Sequence, residues 1–212
     1  MSSEDHVIFI VDDDRRIRES LVDLLSTFDM NVATFGSATE YLAYPKPDMP
    51  ACLILDVELP DINGMDLQSR AAQENHPPIV FLTAHGDIPK SVRAIKAGAI
   101  DFLTKPFREE DLMRAIRAAL VQDRAARRRR AELVELTERL SQLTPREREV
   151  LPLVVSGLLN KQAAAQLGIS ETTLQIHRSN IMKKMGSESL AELVRMAATL
   201  GVPITHSRHG QR

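Results

Sequence analysis

Four apolar runs in the first half of the chain each end in a residue that carries chemistry. Val7-Ile8-Phe9-Ile10-Val11 runs into Asp12, Asp13 and Asp14; Ala51-Cys52-Leu53-Ile54-Leu55 stops at Asp56; Ile79-Val80-Phe81-Leu82 stops at Thr83; and Phe102-Leu103-Thr104 stops at Lys105. Short continuous apolar runs of this kind read as strands buried on both faces, the pattern of a parallel sheet covered by helices. All strands of such a sheet point the same way and ligands bind beyond their carboxyl ends, so Asp12, Asp13, Asp56, Thr83 and Lys105 are expected in one crevice. Between the runs lie helical patterns. Ile17, Leu21, Leu24, Leu25 and Phe28 recur at helical spacing, and residues 65–75, 88–97 and 109–120 can each form a helix, with Gly98 placed as a C-cap. Strand and helix alternate in five units, which predicts an α/β doubly wound five-stranded parallel sheet with helices on both faces.

Three acids, a hydroxyl and an ammonium group in one crevice imply metal and phosphate chemistry. Mg²⁺ takes oxygen ligands and keeps several waters, so Asp12, Asp13 and Asp56 are a sufficient carboxylate set. A carboxylate can also attack phosphorus to give an aspartyl phosphate, provided that the charge on the transferring group is neutralised. Lys105 is placed to do so, and the Thr83 hydroxyl to donate to a phosphoryl oxygen. No general base is required, because a carboxylate is already ionised at neutral pH. Taken singly, each residue has an ordinary alternative: a loop acid is often solvated or an N-cap, as Asp14 is expected to be, and Lys105 before Pro106 reads equally as a loop lysine. The joint pattern at four strand ends favours the site.

The formal net charge of −2 hides an acidic half and a basic half. Residues 1–120 hold 12 Lys and Arg against 20 Asp and Glu, and residues 121–212 hold 15 against 9. Two domains are expected, the second with an anionic partner, nucleic acid being the usual one. The single cysteine, Cys52, excludes an internal disulfide and a cysteine-rich zinc site, and its place in a strand run makes it a small buried hydrophobe. The first residues lack the layout of a signal peptide and no apolar stretch approaches the ~20 residues that span a bilayer, so a cytoplasmic protein without membrane contact is expected.

These residues carry a resemblance. Val11-Asp12-Asp13-Asp14, Asp56-Val57-Glu58-Leu59-Pro60-Asp61-Ile62-Asn63-Gly64, Leu82-Thr83-Ala84 and Asp101-Phe102-Leu103-Thr104-Lys105-Pro106-Phe107 resemble the receiver domain of two-component response regulators, over residues 6 to about 120. The resemblance implies a flavodoxin-like fold in which Asp56 accepts phosphate from a sensor histidine kinase. It implies that Asp12, Asp13, Asp56 and the backbone carbonyl of Glu58 hold Mg²⁺, that Lys105 contacts the phosphoryl group, and that Thr83 and Phe102 form the switch. Phe102 as plain core looks the same in sequence.

Residues 124–143 are expected to be a helical linker. Gln122 to Arg130 is compatible with helix but has no apolar face, and the four arginines at 127–130 read as a solvated face or a phosphate-binding strip. Leu133, Leu136, Leu140 and Leu143 follow at coiled-coil rhythm, which suits either a short dimer seam or a cover for the following domain.

Thr144-Pro145-Arg146-Glu147 is a capping box with proline at the first helical position. A short helix ending near Gly157, a helix from Asn160 to Leu167, the turn at Gly168 and a helix from Glu171 capped by Ser170 give the spacing of a helix-turn-helix. Leu174, Ile181 and Met185 are expected in the core, with Gln175, Ile176, Arg178, Ser179, Met182 and Lys183 on the opposite side. Gln can bond an adenine edge, Ile can touch a thymine methyl, and Arg or Lys can meet phosphate or guanine. Leu143 to Leu151, Asn160-Lys161 and Ile176 to Met185 resemble the four-helix LuxR-type DNA-binding domain of FixJ/NarL-like regulators. That resemblance assigns residues 144–212 to the domain, base reading to Gln175, Ile176 and Ser179, and phosphate contacts to Arg178 and Lys183. Three features depart from the family pattern: Pro152 inside the first helix, and Gln162 and Gln175 where charged residues are common. His177 is expected to be structural.

The whole reads as a phosphorylation-dependent DNA-binding transcription regulator that dimerises when phosphorylated and engages a double-stranded DNA operator. It is expected not to be an enzyme beyond self-phosphorylation and slow self-dephosphorylation at Asp56. A competing reading is a Mg²⁺-dependent phosphatase, opposed by the absence of an evident general acid or capping domain; another is a receiver that is insensitive to phosphate.

Overall fold

The computed structural model describes residues 6–71, 76–84 and 88–204, without the side chains of 70, 71 and 88. The chain divides into two compact units, Met1–Arg127 and Arg128–Arg212.

The first unit is built on strands β1 (Val7–Val11), β2 (Val32–Phe35), β3 (Ala51–Asp56), β4 (Ile79–Thr83) and β5 (Asp101–Thr104). All neighbours pair in parallel, in the order β2-β1-β3-β4-β5, which is the flavodoxin-like order with its switch point between β1 and β3. Helices α1 (Arg15–Ser26), α2 (Ala38–Ala43), α3 (Gly64–Ala71), α4 (Ile88–Lys96) and α5 (Glu109–Ser141) follow the strands in turn. Every residue of β1, β3 and β4 is buried, because alternate side chains enter two different cores. Val7, Phe9, Val11, Leu53, Leu55 and Phe81 meet Tyr41, Leu67 and Ala94 on one face. Ile8, Ile10, Ile54, Val80 and Leu82 meet Leu21, Leu25, Leu112 and Ile116 on the other. Cys52 lies in the second core, fully buried, and desolvation pushes its thiol up, away from reactivity.

One of the expected helix boundaries is corrected, and another is only partly covered by the described residues. The helix read at 65–75 is observed as Gly64–Ala71; positions 72–75 lie outside the described residues. The helix read at 109–120 does not end there: α5 continues to Ser141, so the stretch read as a linker is its second half. No glycine or proline occurs between Leu120 and Leu143, and Ala, Arg, Glu and Leu dominate, so nothing in the chain stops the helix.

The second unit adds α6 (Pro145–Val155), α7 (Asn160–Leu167), α8 (Glu171–Met185) and α9 (Leu190–Thr199) around one core of Val150, Leu151, Val154, Ala163, Leu174, Ile181, Met185 and Leu193. Leu143 belongs to this core, Leu140 packs against it and Leu136 is buried, while Leu133 is exposed. Leu140 and Leu143 therefore serve the domain core. The capping box is formed: Thr144 Oγ1 accepts from Glu147 N, and Glu147 Oε2 accepts from Thr144 N at 2.8 Å. Helix α7 has Leu159 at its N-cap, where no side chain can serve. Gln162 compensates, its Oε1 accepting from Leu159 N at 3.0 Å. Gly168 and Gly186 end α7 and α8 in the left-handed conformation that glycine adopts most readily.

Candidate functional site

The four strand ends meet as their spacing requires. Lys105 Nζ donates to Asp12 Oδ2 at 2.7 Å and to Asp56 Oδ2 at 2.6 Å, joining the loop after β5 to the ends of β1 and β3. Asp12 and Asp56 are buried and Asp13 is exposed, and ligand oxygens of all three lie within 4.8 Å of one another. Each buried carboxylate is aimed by its own loop: Asp14 N donates to Asp12 Oδ1 at 2.9 Å, and Glu58 N to Asp56 Oδ1 at 2.8 Å. The β3–α3 loop closes tightly over Asp56. A Cβ on Gly64 would stand 2.5 Å from the Asp56 carbonyl oxygen, so no side chain fits there.

Asp12 and Asp56 share one ammonium group with Asp13 close by, and the electrostatics follow. Burial pushes the Asp12 carboxyl above the usual carboxylate range, even though Lys105 bonds and attracts it. Burial also opposes the charge on Lys105, but its bonds to Asp12 and Asp56 overbalance this and raise its pKa. A compact, net negative set of hard oxygen donors suits a small divalent cation such as Mg²⁺.

Thr83 is buried at the end of β4, and its carbonyl accepts from Lys105 N at 2.7 Å. Phe102 is half-buried against Phe81, with ring centroids 5.9 Å apart. Glu58 is exposed on the loop two residues after Asp56. Arg18 was not anticipated. Its Nη1 donates to the carbonyls of Asp12 (2.6 Å) and Asp13 (3.0 Å), fastening the acidic loop to α1. Asp61 was also missed: its carboxylate accepts from Ala38 N, Thr39 N and Thr39 Oγ1, fixing the loop after Asp56 to the start of α2.

In the second unit, Gln175, Ile176, Ser179 and Lys183 line the exposed side of α8, with Ile176 57% accessible. Two residues expected beside them lie elsewhere. Met182 is half-buried and packs on the core. Arg178 is half-buried with Nη1 3.3 Å from Asn160 Oδ1 of α7. Arg178 follows Leu174 by four residues and precedes Ile181 by three, which puts its stem at the edge of the buried stripe. His177 is half-buried. At the end of α8, Lys184 Nζ bonds the buried Glu147 at 2.7 Å, so the capping box of α6 also holds α8.

Residues 8–117 match the family of response regulator receiver domains, and residues 141–197 match the bacterial regulatory proteins of the luxR family. The chain is a response regulator. It joins a receiver to a LuxR-type DNA-binding domain and belongs to the transcription regulators so built. It is 46% identical to nodulation protein W of Bradyrhizobium diazoefficiens over 206 residues, covering 97% of this chain and 91% of that protein. It is 46% identical to response regulator protein TmoT of Ectopseudomonas mendocina, covering 94% and 91%. Among solved structures, response regulator StyR matches at 44% identity with a TM-score of 0.79, covering 92% of this chain and 98% of that one. Full-length FixJ from B. japonicum matches at 36% identity and a TM-score of 0.53, covering 95% and 100%. As a response regulator, the chain carries its three clustered acids where the receiver fold places a cation, and among the described residues no helix is long and apolar enough to cross a membrane.

Proposed function

We propose that this response regulator accepts a phosphoryl group on Asp56 from a sensor histidine kinase, and that the modification favours a homodimer whose two LuxR-type domains engage a two-part double-stranded DNA operator. The observation that carries the reading is Lys105 lying within hydrogen-bond reach of both Asp12 and Asp56, the two buried acids of the cluster. An Asp56 oxygen attacks phosphorus, the bond from phosphorus to the donor's imidazole nitrogen breaks, and that nitrogen keeps the electron pair. The Lys105 ammonium stabilises the charge that collects on the phosphoryl oxygens. Asp12, Asp13, Asp56 and the Glu58 carbonyl would hold Mg²⁺, which when bound neutralises part of that charge. Thr83 and Phe102 then register the new group, Thr83 by donating its hydroxyl and Phe102 by turning inward. The chain turns over no other substrate, and it acts in the cytoplasm, where its DNA partner is reached.

The test is intact mass spectrometry after incubation with acetyl phosphate and Mg²⁺. One phosphoryl group should appear on the unmodified chain, and none on Asp56→Asn or in the presence of a chelator. An unlabelled chain would favour a phosphate-insensitive platform, and steady release of phosphate from small esters would favour a phosphatase.

A further inference from the structure

Arg139 stands in the last turn of α5, and its guanidinium is spent on the end of another helix. Nη1 donates to the main-chain carbonyl of Met185, the final residue of α8, at 2.8 Å, and Nη2 meets Glu135 Oε1 at 2.5 Å one turn back. That carbonyl is among those which a helix leaves without an internal partner, and a cation there also complements the helix dipole. Gly186 comes next, with φ +69. Its left-handed backbone already favours glycine, but a second constraint applies: a Cβ would stand 2.6 Å from Arg139 Nη1 and 3.2 Å from Cζ. The turn out of α8 is thus bare where the guanidinium lies. Arg139 is itself well anchored, because Leu136 and Leu143 on either side are buried and Leu140 beside it packs on the core.

We propose that Arg139 is a positioning residue for DNA recognition: it sets where the C-terminal end of α8, and with it Ser179 and Lys183, stands against a groove. The proposal rests on the reading of α8 as the groove-reading helix. Hydrogen bonds to base edges are directional and weaken steeply when misaligned, whereas a long lysine can follow a phosphate through a small displacement. Releasing the end of α8 therefore costs discrimination between sequences more than it costs total affinity for DNA.

The experiment uses the full chain, untreated and treated with beryllofluoride. A duplex is selected from a random-sequence library by the unmodified protein, and that duplex and a scrambled one are titrated over a salt series with Arg139→Ala, Arg139→Lys and Glu135→Gln. Arg139→Ala should lose about tenfold in the ratio of selected to scrambled affinity. Its salt slope should stay unchanged, Arg139→Lys should recover part of the loss, and Glu135→Gln should fall between. An unchanged ratio in Arg139→Ala overturns the proposal. So does a salt slope smaller by about one, which would make Arg139 a phosphate contact. Circular dichroism at the assay temperature checks folding. If Arg139→Ala is unfolded there, Arg139→Lys decides, and a folded Lys variant with the unmodified ratio and slope overturns the proposal. Failure of the unmodified chain to enrich any sequence removes the reading of α8 itself, a different result from an enriched parent with an indifferent variant.

Discussion

Lys105 occupies the position at which the charges of the receiver are balanced, since Asp12 and Asp56 are buried and both bond its ammonium group. In the proposed phosphoryl transfer it would stabilise developing charge, and it is unfavourable to a second cation. Lys105→Ala should bind Mg²⁺ about tenfold more tightly, because a like charge a few ångströms away has gone. The same variant should accept phosphate from acetyl phosphate about a hundredfold more slowly, the usual loss when one fixed stabiliser of developing charge is removed. Calorimetric titration with Mg²⁺ and mass spectrometry read the two effects separately, and a parallel fall in both would mean that Lys105 only holds the fold. Asp61 offers a pH dependence well away from this pair. Slight burial pushes its carboxyl up, but the Thr39 hydroxyl and the N–H groups of Thr39, Ile62 and Ala38 overbalance it, from 3.8 down to about 2. A depressed acid contributes stability above its unfolded value, and loses it as the pH falls through its folded value. Asp61→Asn should therefore lower the stability read from urea unfolding at neutral pH, by about 1 kcal/mol or less for an exposed cap. The gap to the unmodified chain should narrow as the pH drops below about 4; a gap constant with pH would show that the carboxylate charge plays no part.

Among the elements, the strands that build the site were legible because continuous apolar runs have one plausible use in a chain of this size. Strand β2 was not located in that way: Val-Ala-Thr-Phe is only four residues long and mostly half-exposed, so no apolar run marks it. Arg178 stands nearer the buried stripe than its residue type alone suggests, because its helical position carries its stem there. Several other ties were invisible for a different reason: their partners lie far away in sequence with no shared motif, or are main-chain atoms. Arg139 to the Met185 carbonyl, Lys184 to Glu147, and Ala51 N to the buried Asp123 on α5 are all of this type. Pro152 is an element-level anomaly that was visible. It stands inside α6, where it cannot donate to the preceding turn, while its own carbonyl accepts from Ser156 N and Oγ. Pro152→Ala should stabilise the second unit by about 1–3 kcal/mol, seen as a higher urea midpoint for the helical signal. No gain would show that the rest of the domain is shaped around the proline. On α8 the two kinds of exposed residue should separate cleanly. Lys183→Ala should reduce the salt slope of duplex binding by about one, and Ile176→Ala should leave the slope alone while cutting sequence preference.

At the scale of the whole molecule, the acidic receiver and the basic half carry opposite charge, and only one of them suits DNA. A single LuxR-type domain presents one short helix to a groove, so its affinity is modest and strongly dependent on salt. Two such domains held in one dimer make the second contact intramolecular, and affinity then rises without any new type of contact. Phosphorylation does not have to alter α8 at all in this scheme; it has only to change the population of dimers. The two-domain chain should therefore be mainly monomeric in solution scattering, become dimeric with beryllofluoride and Mg²⁺, and remain monomeric as Asp56→Asn under the same treatment. Binding to a selected two-part duplex should strengthen in step with the dimer, whereas binding to a duplex with one half-site should not change. A rise in half-site affinity on treatment would place the switch inside each DNA-binding domain instead, because doubling the number of heads cannot strengthen a contact that only one of them makes.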